Sequence, residues 1–271
     1  MDALILGAID EKQKSSGIRG NLFEIGVHHG KSAALLHLLR AEGEQAGYCD
    51  LFSKQELNVD SSGKGSRQAF EATFQSLFGE TPSWVLEKSS HELVVGDTSS
   101  DCRIFHVDGG HRVVDVVNDL RIANSALTEE GIAIIDDVFN PSWPSVSQGF
   151  HEYMSLHPSS FSPLIIGGNK VFLCRPDQRK GYSNTLGAAT LQSYVSLPSF
   201  SMQTKEWYGV DVATAVRLAH LDLQPIAAIR LRLARGGWMD AIDHIVHRFW
   251  PLRFARTSRR QVSSHGSRRI L

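Results

Sequence analysis

Cysteine is scarce in this chain of 271 residues: Cys49, Cys102 and Cys174 are odd in number and far apart, which argues against both a disulfide framework and a zinc motif. Each stands in or beside an apolar run, the setting of a buried thiol in a reducing compartment. No apolar stretch approaches the ~18–20 residues that span a bilayer. The opening Met1 to Gly7 lacks a basic segment and is too short for a signal peptide. A soluble, cytoplasmic protein is therefore expected. Acidic residues are missing after Asp243, where Arg248, Arg253, Arg256, Arg259, Arg260, Arg268 and Arg269 stand, although the whole chain carries only −1. Such a basic end is expected to be solvated, and it could touch an anionic surface. No specific nucleic-acid binding is expected from it. Repeats and low-complexity tracts are absent as well. Hydrophobic residues at 42% and charged residues at 21% are ordinary for a globular protein, and the length suits one large α/β domain with an appendage or two small domains.

Two familiar nucleotide loops are also missing. Gly20 to Ser32, GNLFEIGVHHGKS, reads as a buried strand, a tight turn and the start of a helix that runs to Arg40. A phosphate-cradling loop needs four residues between its glycines before Lys-Ser, and only three separate Gly26 from Gly30-Lys31-Ser32. A dinucleotide loop needs a second glycine where His28 stands. What is present is Glu-x-Gly-x-x-x-Gly-x-Ser, with Glu24 two residues before Gly26. At a strand end Glu24 would repel phosphate but would accept a hydrogen bond from an ammonium or hydroxyl. A cationic, amino-acid-bearing nucleoside suits it better than ATP or NAD. The glycines allow the main chain to turn and to approach a ligand closely, and the helix start offers free N–H groups. The motif has the form of the first motif of class I S-adenosylmethionine-dependent methyltransferases, which the sequence resembles here.

Further along, Tyr48 to Phe52 reads as a second strand with Asp50 at its carboxyl end, about 20 residues past the glycine loop, where an acid accepts both ribose hydroxyls. The polar, glycine-rich stretch from Ser53 to Arg67 is long for a connection and is expected to border the active site. A helix is expected from Ser66 to Phe78, a third strand over 82–87, and Ser89 facing the adenine. Arg103 to Asp108 reads as a buried strand ending in an acid, and Val113 to Leu127 has helical spacing, with Gly131 closing the turn. Ile132 to Asp137 is a continuous apolar strand ending in two carboxylates, the pattern of a parallel strand covered on both faces. As sheet neighbours these two strands would lie ~4.8 Å apart and bring Asp108, Asp136 and Asp137 together. Three anions so close call for a cation, Mg²⁺ above all. His111 is read either as a base for a hydroxyl proton or as a group that positions the metal shell. A Walker-type ATPase would also place an acid after such a strand, and Lys31-Ser32 with Asp136 keeps a nucleotide hydrolase open as an alternative, alongside a non-catalytic binding protein.

The block FHVDGGH at 105–111, Asn118-Asp119-Leu120, GIAIIDDVF at 131–139 and WPSV at 143–146 is similar to the sugar-modifying O-methyltransferases of the macrocin type and, more broadly, the metal-dependent catechol type. The resemblance covers roughly Asn21 to Arg175. It implies a doubly wound, mostly parallel α/β sheet of Rossmann-like methyltransferase fold over residues 1–176, followed by a C-terminal extension over 177–271. It further implies S-adenosylmethionine held by Glu24, Gly26, Gly30, Ser32, Asp50, Ser89 and Asp108, Mg²⁺ held by Asp108, Asp136 and Asp137, and Asp108 and His111 at the reacting centre. The sequence departs from the macrocin pattern in having Gly110-His111 soon after the aspartate-glycine pair. The acceptor would be a small molecule such as a sugar, and a homo-oligomer is compatible with the pattern. Leu164 to Cys174 reads as a hairpin closing the sheet edge, 177–205 as an irregular arm, 207–221 as a helix or sheet element, and 226–249 as an amphipathic segment.

Overall fold

The computed structural model describes residues 1–94, 96–195 and 200–217. The amphipathic segment at 226–249 and the arginine-rich end lie outside the described residues. One mixed sheet forms the centre, with strands β1 (Asn21–Ile25), β2 (Ala46–Asp50), β3 (Val85–Glu87), β4 (Cys102–Val107), β5 (Leu127–Ile135), β6 (Ser162–Gly167), β7 (Lys170–Cys174), β8 (Phe200–Trp207) and β9 (Val210–Arg217). Their spatial order is β3-β2-β1-β4-β5-β7-β6-β9-β8. β1 to β5 run parallel, whereas β7 enters antiparallel beside β5. The chain turns to one side of β1 for β2 and β3 and to the other for β4, so the ends of β1 and β4 flank a switch point where a crevice opens.

Strict alternation along β1 sends Leu22 to one helical layer and Phe23 and Ile25 to the other. The first layer contains α1 (Asp2–Ser15), α2 (Lys31–Leu39) and α3 (Arg67–Phe78); the second contains α4 (Val113–Ala126) and α5 (Pro144–Leu156). α3 is bounded as its sequence requires: the Ser66 hydroxyl accepts the Ala69 N–H at 3.2 Å, and Gly79 takes the left-handed conformation that ends it. At the opposite end of the sheet from the crevice, the fully buried Arg103 guanidinium donates to both oxygens of Glu44 at 2.8 Å, to Gln13 and to the Leu39 carbonyl. It ties β4 to α1 and to the turn after α2.

Two local readings change. Gly131 does not close a turn: β5 begins at Leu127 and carries Gly131 inside it, with its register to β4 shifting between Cys102 and Ile104. A side chain at Gly131 would press on Leu127 and on the Cys102 carbonyl, so glycine serves close strand packing there. The stretch expected to be an irregular arm contains α6 (Arg179–Thr185) and α7 (Ala188–Tyr194), which bury Tyr182 and Leu191 against the first layer. Beyond it, β9 pairs with β6 and carries β8, so residues 200–217 continue the same sheet. Among the described residues, no helix is long and apolar enough to cross a membrane.

Candidate active site

A cleft of about 230 Å³ opens at the carboxyl ends of β1, β2 and β4, lined among others by Gly26, Asp50, Ser89, Asp108, Gly109 and His111. Its floor is set by the approach of two main chains. Gly26, with φ 84°, donates to the Cys49 carbonyl at 2.8 Å, and any β-carbon there would overlap the Asp108 carbonyl oxygen. The Asp50 carboxylate braces the loop that follows: Oδ2 accepts the Val27 and His28 N–H groups at 2.8 Å each, and Oδ1 accepts that of Phe52 at 2.7 Å. A carboxylate offers about four acceptor positions, so a hydroxyl ligand would meet a group already oriented by the loop. Gly30, with φ 89°, starts α2 and leans on Phe70, outside the cleft lining. Ser89 lies on the far wall, where its hydroxyl and the Glu92 carboxylate form a reciprocal cap.

Glu24 and Ser32 are not in the cleft. Strand alternation turns Glu24 into the layer under α1 and α2, where it is 0% exposed and its Oε1 lies 2.7 Å from His106 Nδ1. Among the described residues its Oε2 finds no hydrogen-bond partner. Burial pushes its carboxyl up to about 8, against the pull of Ser32 and Lys170. Burial likewise brings His106 down to about 3. Ser32 lines a small inner pocket with His106 and Lys170. The expectation that Glu24 meets the ligand from the strand end is corrected by this orientation, because a side chain inside a strand must choose one face and Glu24 faces inward.

The acids form a rim at the ends of β4 and β5. The sheet ladder places them: the Asp108 N–H bonds the Ile25 carbonyl at 2.8 Å and the Asp136 N–H bonds that of Val107 at 2.9 Å. They do not converge on one centre. Asp136 is paired through Oδ2 with the Lys170 ammonium, which also lies 3.1 Å from His106 Nε2, and its Oδ1 accepts the Asp137 N–H at 2.7 Å. Asp137 has the left-handed φ of 60°, uncommon outside glycine, and its Oδ1 is held by the amides of Asn140 and Asn169. Its Oδ2 lies 3.3 Å from His111 Nε2. On the other side of that ring, Asp60 Oδ2 accepts the His111 backbone N–H at 2.6 Å and stands 3.0 Å from Nδ1, while Trp143 stacks on the ring with centroids 4.2 Å apart. Burial opposes charge on His111, but Asp137 and Asp60 outweigh it and raise its pKa. Burial drives Asp108 well above the usual carboxylate range, and no described residue gives its side chain a hydrogen bond. Ligand atoms of Asp108, His111 and Asp137 lie within 4.8 Å of one another, as do those of Glu24, His106 and Asp108.

Three participants were not singled out from the sequence. Asp60 stands in the polar loop expected to border the site, and its being an acid just before Ser61-Ser62-Gly63 was the available signal. Lys170 and His106 reach the rim only through the placement of β7 beside β5 and the inward face of β4.

Residues 23–138 match the model of the family described as a methyltransferase domain. No curated protein matches the sequence. Among solved structures, the O-methyltransferase NovP is similar with a TM-score of 0.53 at 14% identity, over 64% of this chain and 79% of that chain. CalS11, a TDP-rhamnose 3'-O-methyltransferase of calicheamicin biosynthesis, gives 0.43 at 18% over 64% and 78%. The Podospora anserina methyltransferase PaMTH1, solved with SAH bound, gives 0.37 at 13% over 76% and 73%. Together with a parallel sheet that ends in an antiparallel β7 and a crevice at its switch point, the match over residues 23–138 gives this chain the fold of a methyltransferase domain.

Proposed function

We propose that the protein transfers the methyl group of S-adenosylmethionine to a hydroxyl of a sugar or another small polyhydroxylated molecule. The observation that carries this reading is that one cleft runs from the Asp50-braced glycine loop to Asp108 and His111, so donor and acid–base groups share a wall. The donor's nucleoside would lie along Gly26, Asp50 and Ser89, with its sulfonium end toward Asp108. The acceptor would approach from the side of His111, Asn140, Asn169 and Trp143, whose amides, imidazole and flat ring suit hydroxyls and a ring's C–H face. Methyl transfer depends on alignment of oxygen, methyl carbon and sulfur, so holding both partners supplies much of the rate. Asp108 and His111 are the groups at this junction able to receive the hydroxyl proton.

A divalent ion belongs to the same proposal, with an altered ligand set. Asp136 is taken by Lys170, whereas Asp108, whose carboxylate has no hydrogen bond from a described residue, and the neighbouring His111 and Asp137 fit an ion. Bound there, an ion would supply acidity to a coordinated hydroxyl. The nucleotide-hydrolase alternative finds no support, since Ser32 sits in the small inner pocket with His106 and Lys170 and not in the cleft that holds Gly26, Asp50 and Asp108.

Calorimetry on the purified protein with S-adenosylhomocysteine and with ATP, followed by methyl transfer from labelled donor to a panel of sugars and sugar nucleotides, tests the proposal. Product binding that weakens about tenfold or more in Asp50→Ala, no heat from ATP, and label on a hydroxyl are expected. ATP binding without donor binding would overturn it.

A further inference from the structure

Two acids of α4, Asp115 and Asp119, stand one turn apart on one face of the helix. Each backs both sides of the cleft at the end away from the rim acids. Asp115 lies 2.9 Å from His91 Nε2 through Oδ1, and a β-carbon at Gly110 would stand 2.6 Å from its Oδ2. Asp119 repeats the arrangement one turn on: the Ser90 hydroxyl stabilises its charged form, and a β-carbon at Gly109 would stand 2.6 Å from its Oδ2. Glycine at 109 and 110 thus makes room for two carboxylates. Ser90, His91, Gly109 and Gly110 all line the cleft, and the short turn Ser90–Glu92 packs on α4.

The two carboxylates differ in how their charge is met. The Arg112 guanidinium donates to both oxygens of Asp115, at 2.7 and 2.8 Å. Asp119 is 0% exposed, and its Oδ1 accepts the Asn118 amide at 3.2 Å. Among the described residues its Oδ2, the oxygen toward Gly109, finds no hydrogen-bond partner. Burial pushes its carboxyl up to about 6, against the pull of Ser90 and Asn118, which leaves it mainly charged at neutral pH. With little polarisable matter between them, a buried charge acts on groups several ångströms away more strongly than it would through water. The side of the cleft formed by Gly109 therefore carries negative potential that no side chain in the cleft supplies.

We propose that Asp119 is a positioning residue for the methyl donor: with Asp115 it fixes the gap between Gly109-Gly110 and Ser90-His91, and its unshared oxygen behind Gly109 makes that gap favour a base with an exocyclic amine over one with a carbonyl. The inference rests on the donor placement proposed above, in which the nucleoside lies along Gly26, Asp50 and Ser89. An amine presents its positive N–H end to the potential on this side, whereas a carbonyl presents its negative oxygen. Asp119 acts through the main chain of Gly109 and through Ser90 and does not touch the donor. Asp115, already balanced by Arg112, contributes to the width of the gap and not to the choice of base.

The test is calorimetry on the full-length protein at pH 7.5 with S-adenosylhomocysteine and with S-inosylhomocysteine, whose base carries a carbonyl in place of the amine. Wild type is expected to bind the adenosyl compound more tightly. Asp119→Asn keeps the shape and removes the charge, so the ratio of the two affinities should fall about threefold or more. Asp115→Asn should weaken both compounds by the same factor and leave the ratio in place. Gly109→Ala, which pushes the Asp119 oxygen from its position, reads the same contact from the other side and should lower the ratio as Asp119→Asn does. Thermal midpoints identify the variants that remain folded, and a purely structural role for Asp119 would move the midpoint without moving the ratio. Wild type that binds both compounds equally, or a ratio unchanged in folded Asp119→Asn, would overturn the proposal while leaving the donor site intact. Wild type that binds neither compound would overturn the donor placement and this proposal with it.

Discussion

Replacing Gly26 by alanine tests the geometry of the crevice most directly. Gly26 has φ 84°, and so does Gly43 in the turn after α2. At Gly43 a β-carbon would have nothing within 4 Å, whereas at Gly26 it would overlap the Asp108 carbonyl oxygen and stand 2.9 Å from the Gly109 nitrogen. Both substitutions incur the left-handed backbone penalty of about 1–2 kcal/mol. Only Gly26→Ala must also part β1 from β4, an overpacking cost of about 1–3 kcal/mol. The expected losses are therefore about 2–5 kcal/mol for Gly26→Ala and about 1–2 for Gly43→Ala. Urea unfolding measures them, with an unchanged m-value showing that the transition itself is the same. The Gly26 variant should also lose S-adenosylhomocysteine affinity, because the displaced wall carries Asp108, while the Gly43 variant keeps it. Equal destabilisation by the two would refute the close approach of these main chains as the reason for glycine at position 26.

Two other perturbations separate stability from function. Arg103→Met strands the buried carboxylate of Glu44 and the Leu39 carbonyl, and a broken buried pair costs about 3–5 kcal/mol; urea midpoints should fall accordingly, with product affinity unchanged wherever the variant remains folded. Glu24 and His106 set opposing pH slopes. Glu24 has its pKa raised to about 8 by burial, so the folded state binds the extra proton, and stability is lost as pH rises from the ordinary carboxyl value toward 8. His106 is lowered to about 3 by burial, so stability is lost as pH falls below its ordinary 6.5. From pH 6.5 to 8 only the Glu24 slope of this pair acts, at most about 2 kcal/mol. Glu24→Gln should flatten that limb in thermal midpoints recorded across pH, and a limb of undiminished slope would show that another group causes it.

Much of the fold was legible because it is written locally. The continuous apolar run at 132–135 and the run at 104–107, broken only by His106, specify strands covered on both faces, and the helical spacing of Val113 to Ala123 specifies the crossover between them. A right-handed connection then puts Asp108 and Asp136 on one rim, as the structure shows. Gly131 misled because glycine after a helix commonly marks a turn, whereas here it fits a strand against the Cys102 carbonyl. Residues 179–194 misled because serine and glycine hide two short helices anchored by Tyr182 and Leu191. Alternation alone says that Glu24 shares a face with Leu22; which face meets the ligand depends on where the helices pack.

The sequence by itself determined the strand–glycine turn–helix that opens the domain, the acids at the strand ends and the class of cofactor chemistry, since these follow from periodicity and motif within a few dozen residues. Only the tertiary structure decided which acids are free. β7 enters antiparallel beside β5 and delivers Lys170 to Asp136 across 34 positions, and a loop before α3 delivers Asp60 to His111 across 51. A charge is neutralised by whatever stands within a few ångströms of it, and that proximity was set by strand order and by loops folding back over the rim.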